Sequence, residues 1–570
     1  MTPLALASAA TAAVQPPADL ALLHGQIHTE DARRSVAQAI AVRGNSIMAV
    51  GTDQAIGTLI GPKTRIVDLH GRVVLPGIID AHTHPADGAL DMGKCDLGDE
   101  MLSTAAVKHK VAACLKKRPG ESWFDVVQVN SSGLTLTLKD LDSMLADRPL
   151  FLSGSDGHSA WANSAALQAA HVTAATQDPD DGRIERDAAG NPTGTLRDDA
   201  MDVVLEARPR QDLDHEARNL ARTLAAMSAT GITSLQDASV DDSEMQIYKR
   251  LYDQHRLDMR VRGCFHLRGL HRPPQSLIDQ AVAFRARWAV DPDFLRADAV
   301  KIFADGVIEY PTQTAALLEP YLDGNGHATG NRGPSYFEQD NLNRIVSGAD
   351  AAGLTVHVHA IGDRAVRSSL DAFAYSRQHN GAGDGRDQIA HLELVDPADF
   401  PRFKALGVIA NLQLLWAERD PTYIVSATLP YIGPERSRYL YPARSLRDAG
   451  ALIAGGSDWN VSSFDAFEAM EHAITRAEGR GKPALFPEQS ITIQDAVDAY
   501  TINAAFALKQ EGTTGSLEPG KRADLIVIDR DVFAIDPWEL HATRVLSTYL
   551  DGREVYARQA SGSTNSGSAK

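Results

Sequence analysis

VVLPGIIDAHTHP, residues 73–85, is the stretch whose reading decides the fold. Val73, Val74, Leu75, Ile78 and Ile79 form the apolar run of a buried strand. His82 and His84 stand two residues apart, so on extended backbone both imidazoles point to one side. Pro85 follows at once and places them at the strand mouth. Two neutral imidazoles on one face suit a divalent transition ion. An isolated HxH pair is more often incidental. Its weight here comes from its position, because parallel barrels carry their reactive groups at strand ends.

Outward from this strand the arrangement recurs. ADAVKIFADG (297–306) carries Lys301 in an apolar run that closes at Asp305 and Gly306. LTVHVHAIGDRA (354–365) puts His357 and His359 on one face just before a helix start. DQIAHLELV (387–395) ends a short strand with His391, and ALIAGGSDWN (451–460) runs through a Gly-Gly turn to Asp458. Taken singly, each has a plain explanation: a hydrogen-bonded histidine, a snorkelling lysine, an aspartate capping the next helix. Recurring at the ends of successive Val/Ile strands, they are much harder to dismiss. Amphipathic windows lie between the strands: HEARNLARTLAAMSATG (215–231), DRAVRSSLDAFAYSRQH (363–379) and PADFPRFKALG (397–407). Strand followed by helix, repeated, predicts an α/β domain with a parallel sheet, most simply a barrel.

The flanks have a different texture. Short alternating strands fill residues 20–75, and RADLIVIDRD and VLSTYLDGREVYA repeat the pattern near the other end. Residues 19–75 and 509–557 are therefore expected to combine into a small β domain. Residues 76–508 would form the barrel, with an insertion at about 88–210 covering one face. The Ala/Thr-rich start, MTPLALASAATAAVQPP, resembles the core and cleavage region of a signal peptide, although no Lys or Arg precedes it. A leader over 1–18 and a periplasmic or secreted location are expected ahead of the cytoplasm. Residues 558–570 belong to a Ser/Gly-rich tail expected to be disordered. Hydrophobic residues at 44% and charged residues at 23% exclude wholesale disorder. The formal charge of −18 argues against nucleic acid as the main partner. No apolar run reaches the roughly 18–20 residues of a membrane span. Three cysteines cannot build a disulfide framework, and none lies in a CxxC pair.

The order PGxxDxHxH, then Lys, His, His and Asp, resembles the amidohydrolase superfamily of metal-dependent hydrolases. SDGHSAWANSAAL (155–167), GITSLQDA (231–238), KIFADG (301–306), VHVHAIGDRAV (356–366), IAHLEL (389–394) and GGSDWNV (455–461) are similar to its family 3 group, which includes the N-substituted formamide deformylases. The resemblance implies a TIM-like (β/α)8 barrel, a β-sandwich built from both chain ends and an inserted cap. It implies His82 and His84 as first-strand metal ligands, His359 and His391 as ligands from later strands, and Asp458 as the last-strand carboxylate. His357 is the weaker match beside His359. Lys301 stands where many members carry a carboxylated lysine bridging two metals. After KIFADG the chain has VIEYPTQTAAL in place of a Gly/Ser-rich stretch, and this loop, with Glu309, is expected to shape substrate choice.

A lysine with its ordinary pKa of about 10.4 is cationic and cannot ligate a metal. Burial and nearby divalent ions favour the neutral amine, which with CO2 forms an anionic carbamate. A divalent metal is thus expected, zinc first, as one or two ions. It lowers the pKa of bound water from about 15.7 towards 7 and polarises a carbonyl. The expected reaction is attack of metal-bound hydroxide on a C–N acyl bond of an amide or formamide, with Asp458 as general acid/base. In the resemblance His158, in DGHSAWAN, would orient or polarise the scissile carbonyl, with a loop histidine fixing the local turn with Asp156 as the plainer alternative. Trp161, Glu309, Arg364 and Trp416 are candidate substrate-binding side chains, with packing or a helix-start role as their plainer alternatives. The expected partner is a small-molecule substrate, neither nucleic acid nor membrane; a homo-oligomer is left open. An ester or phosphoester substrate and a metal-free binding scaffold stand as alternatives.

Overall fold

Eight parallel strands organise the chain: β1 Ile78–Thr83, β2 Ile232–Val240, β3 Arg260–His266, β4 Leu295–Phe303, β5 Thr355–Ala360, β6 Gln388–His391, β7 Ile409–Leu412 and β8 Ile453–Gly455. In this computed structural model they lie in one sheet in sequence order, every adjacent pair parallel. The two ends of the sheet meet. The Asp458 amide donates to the His82 carbonyl at 2.7 Å. The Ser457 amide and hydroxyl donate to the Asp80 carboxylate at 2.9 and 2.6 Å. Position 456 must be glycine, because a Cβ there would lie 2.5 Å from that of His82. The result is a TIM-like barrel. Residues 16–132, 134–179, 182–209 and 212–559 are described; most of the expected leader and all but the first two residues of the expected tail lie outside them.

The helices follow from the periodicity. Leu213–Ala229 buries Ala217, Leu220, Leu224 and Met227, spaced by three and four residues, which is the core-facing stripe of an amphipathic helix. The window at 363–379 becomes Asp363–Asn380. The window at 397–407 becomes a 3-10 turn, Pro397–Asp399, and the helix Phe400–Leu406, which ends where Gly407 adopts φ 67°.

Two chain ends build the satellite. A four-stranded sheet contains Leu20–Leu23, Ala39–Arg43, Ser46–Gly51 and Arg65–Asp68. A six-stranded sheet pairs Val73–Pro76 and Gln26–His28 with the C-terminal strands Leu525–Ile528, Val545–Leu550 and Arg553–Ala557, with Val36–Ala37 at one edge. Leu22, Ile40, Val74, Leu525 and Val527 fill the space between them. After the helix Pro85–Asp91, the segment expected as the insertion at about 88–210 carries its own six-stranded sheet, from Cys95–Asp96 to Pro192–Asp198. Cys95 and Cys114 are disulfide-bonded across this region, Cα–Cα 5.8 Å, while Cys264 is free and buried. Nineteen residues separate the bridged pair in sequence, and no local motif marks them.

Barrel and satellite are joined by a buried ion pair. Arg260, at the start of β3, donates from Nε to Asp524 Oδ2 at 2.7 Å and also reaches Asp551. Both side chains of the Arg260–Asp524 pair are 3% exposed. Removing one member of such a pair leaves an uncompensated buried charge. Asp524→Ala is expected to destabilise the protein by about 3–5 kcal/mol, read from the shift in urea unfolding midpoint.

Candidate metal centre

The barrel mouth collects the strand-end side chains. His82 Nε2 and His84 Nε2 lie 3.3 and 3.1 Å from Asp458 Oδ1. Ligand atoms of these three residues all fall within 4.8 Å of one another. Lys301 Nζ is 3.3 Å from His82 Nε2, and His391 Nδ1 is 3.9 Å from Asp458 Oδ2. The His359 ring centroid lies 4.3 Å from that of His391. The six expected ligands therefore converge.

Register explains the convergence. Lys301 is paired with His357, Phe303 with His359, and Ala360 with His391, so the three strands bring their C-terminal ends to one level. His357 and His359 share the inward face of β5 at different depths. The deeper one, His357, sits behind the cage with Nε2 2.8 Å from His82 Nδ1. Its Nδ1 meets Gln388 Oε1 and Gln236 Nε2, both at 3.1 Å. His359 places Nε2 3.1 Å from the Gly306 carbonyl and 3.6 Å from Asp305 Oδ1. A donating Nε2–H leaves the His359 lone pair on Nδ1.

Burial keeps the imidazoles of His82, His359 and His391 neutral. Burial, then the Lys301 charge, lowers His82 to about 3. Burial holds His359 and His391 well below the ordinary histidine value too. Burial alone would raise Asp458, but His82, His84 and His391 hold its carboxyl well below the usual carboxylate range. Burial lowers Lys301 to about 8 against the pull of Asp458. The donor set is thus neutral imidazole, carboxylate and a lysine partly relieved of its proton, which suits a divalent ion. Both ring nitrogens of His391 are buried without a hydrogen-bond partner among the described residues. Unmet buried nitrogens are costly in an apolar setting, and a metal ion would satisfy one of them. The residues fit the ion.

A cavity of about 570 Å³ opens above the cage, lined by His158, Glu309, Trp416 and the cage residues. His158 comes from the cap. Its Nδ1 is 2.6 Å from Asp198 Oδ1, and Tyr336 donates to Asp198 Oδ2 at 2.8 Å. Burial opposes a charge on this ring, yet the Asp198 carboxylate raises its pKa. Trp416 stacks parallel to His391 with centroids 5.8 Å apart. Burial pushes Glu309 up to about 7.

Two expected substrate contacts need correction. Trp161 does not line the cavity; it is buried in the cap core with Val126 and Leu152, because its strand turns that face inward. Arg364 does not line it either. Its guanidinium donates to the carbonyls of Arg332, Gly333 and Pro334, tying down the loop that precedes β5's helical approach. Several supporting residues were not foreseen. Asp80, inside the quoted first motif, holds Ser457 and thereby the Asp458 turn. Asp305 accepts from the amides of Ala316, Ile361 and Gly362 and backs His359. Asp198 has no local signal at all.

The sequence matches the amidohydrolase family model over residues 65–556. It is 30% identical over 562 residues to the N-substituted formamide deformylase of Arthrobacter pascens, covering 95% of this chain and 99% of that one. It is 27% identical to the putative amidohydrolase YtcJ of Bacillus subtilis (strain 168), over 91% of this chain and 96% of that protein. Among solved structures, an uncharacterized metal-dependent hydrolase from Pyrococcus horikoshii OT3 superposes with a TM-score of 0.71 at 22% identity, over 91% of this chain and 99% of that one, a likeness of fold. With the barrel closed around its strand-end donors and the family match spanning most of its length, the chain belongs to the amidohydrolase family.

Proposed function

We propose that the protein is a metal-dependent hydrolase that cleaves a C–N bond in amides or formamides. The observation that carries this reading is the convergence of His82, His84 and Asp458 at the floor of a roomy cavity, beside a His391 whose two nitrogens have no hydrogen-bond partner among the described residues. His82, His84 and Asp458 would hold one ion, with Lys301, His359 and His391 completing a second position. When bound, the metal supplies Lewis acidity and makes water a nucleophile near neutral pH. Buried Lys301 would serve best as its carbamate, since the anion removes the conflict between an ammonium and the neighbouring imidazoles.

The remaining steps belong to the protein. Asp458 accepts the proton of the attacking water as oxygen bonds to the carbonyl carbon, then delivers it to the nitrogen as the C–N bond breaks. His158, aligned by Asp198 and Tyr336, donates to the carbonyl oxygen where negative charge develops. Similarity to a protein named for N-substituted formamides makes formamides the first substrates to try. A small-molecule substrate suits the cavity volume, and among the described residues no helix is long and apolar enough to cross a membrane. The Ala/Thr-rich start and the Cys95–Cys114 bridge together support an exported protein, since disulfides persist in oxidising compartments.

Elemental analysis after dialysis should find at least about one divalent ion per chain, and His391→Ala and His84→Ala should each retain less; protein free of bound metal would end this reading. Asp458→Asn is expected to lower kcat on an amide and formamide panel by about 10²–10⁴-fold, and near-normal turnover would remove the proton-transfer role. His158→Ala should reduce kcat about 100-fold while metal content, measured alongside, stays that of the wild type.

A further inference from the structure

The wall formed by the segments after β4 and β6 carries two carboxylates that the hydrolytic steps do not use. Glu393 follows His391 and Leu392, whose left-handed φ values of 75° and 54° redirect the chain as it leaves the strand. It lines the cavity at 3% exposure. Its backbone carbonyl accepts from the Tyr441 amide at 2.8 Å, while Oε2 of its side chain is buried with no hydrogen-bond partner among the described residues. Glu309 lines the same cavity, near enough for the two charges to repel.

Among the described residues no lysine or arginine answers them, and His158, whose charge acts on Glu309, is held by Asp198 at 2.6 Å. The four Lys and Arg residues of the cavity lining are engaged elsewhere: Lys94 with Asp91 at 2.7 Å, Arg208 with Asp125 at 3.5 Å, Arg268 with Asp199 at 3.2 Å, and Lys301 beside His82 at 3.3 Å. Among the described residues neither Glu309 nor Glu393 has an ion pair within 4 Å. Trp416 and Tyr441 line the same cavity, and aromatic faces attract cations. A buried carboxylate with an orphaned oxygen, a half-buried one on the same wall and an aromatic border make a receptor for positive charge on a ligand.

We propose that Glu309 and Glu393 form a subsite for a cationic end of the substrate, so that the bonds cleaved belong to formyl or acyl derivatives of amines carrying a second, protonated nitrogen. This names the substrate class of the site described above and rests on the hydrolytic reading. The first test is independent of turnover. The full-length, metal-loaded protein is titrated calorimetrically with pentylammonium and with 1-pentanol, and the ammonium is expected to bind about 10- to 100-fold more tightly. Glu309→Gln and Glu393→Gln should each erode that preference. Equal affinities in the wild type, or a preference that survives both substitutions as it would for an amine seated on the metal, overturns the subsite. So does loss of bound metal in Glu393→Gln, which would assign the orphaned oxygen to the ion. The second test compares N-(2-aminoethyl)formamide with N-propylformamide, which differ by an ammonium in place of a methyl group. A higher kcat/KM for the cation supports the subsite. Equal kcat/KM values overturn it and leave the hydrolase reading standing. Hydrolysis of neither, with the ammonium preference intact, supports the subsite and counts against formamide cleavage.

Discussion

Barrel closure is the constraint on which the site depends. His82 and His84 lie at the end of the first strand and Asp458 just beyond the last, more than 370 residues later. They meet because Asp80 takes two hydrogen bonds from Ser457 and the Asp458 amide caps the His82 carbonyl. These contacts set the distance between the first and last ligands directly, with no flexible loop between. Asp80 itself is fully surrounded by protein, and burial raises it to about 6. The Ser457 bonds favour its ionised form, so the strand junction and the carboxylate stabilise one another.

The cage concentrates costs that a packed core would avoid. Neutral imidazoles, a lysine and a carboxylate are all removed from water, and His391 has nothing to bond with among the described residues. His391, Leu392 and Asp458 hold left-handed backbone conformations, uncommon for residues with a Cβ and worth about 1–3 kcal/mol each. Such features persist only where the surroundings over-determine them. Here the surroundings are the apolar strands of the barrel, the Asp305 carboxylate with its three amide donors, and the buried amides of Gln236 and Gln388 below His357.

The cavity is composite. The barrel supplies the candidate metal donors, the cap supplies His158 with Asp198, and the loops after β4 and β6 supply Glu309 and Glu393. The cap has its own sheet, its own core around Phe124, Val126 and Leu152, and a disulfide between Cys95 and Cys114. The Asp198 carboxylate, itself bonded by Tyr336, holds the cap's His158 imidazole over the barrel mouth. The segments after β4 and β6 can then vary without disturbing the strand-end side chains that would hold an ion.

Much of the plan is legible in the chain itself. Side-chain alternation with period two puts His82 beside His84 and His357 beside His359, and apolar runs ending in polar residues mark the catalytic ends of strands. The helices appear in the three- and four-residue spacing of Ala217, Leu220, Leu224 and Met227. Sequence alone thus pointed to the barrel, to the pairing of both chain ends and to the six side chains that meet at the barrel mouth. Tertiary structure alone decided depth and facing. It made His357 a support for His82, buried Trp161 in the cap, turned Arg364 to backbone carbonyls, paired Cys95 with Cys114 and brought Asp198 to His158. The physical reason is that local periodicity records which face of a strand a side chain occupies, whereas its partner is set by register and packing between segments hundreds of residues apart.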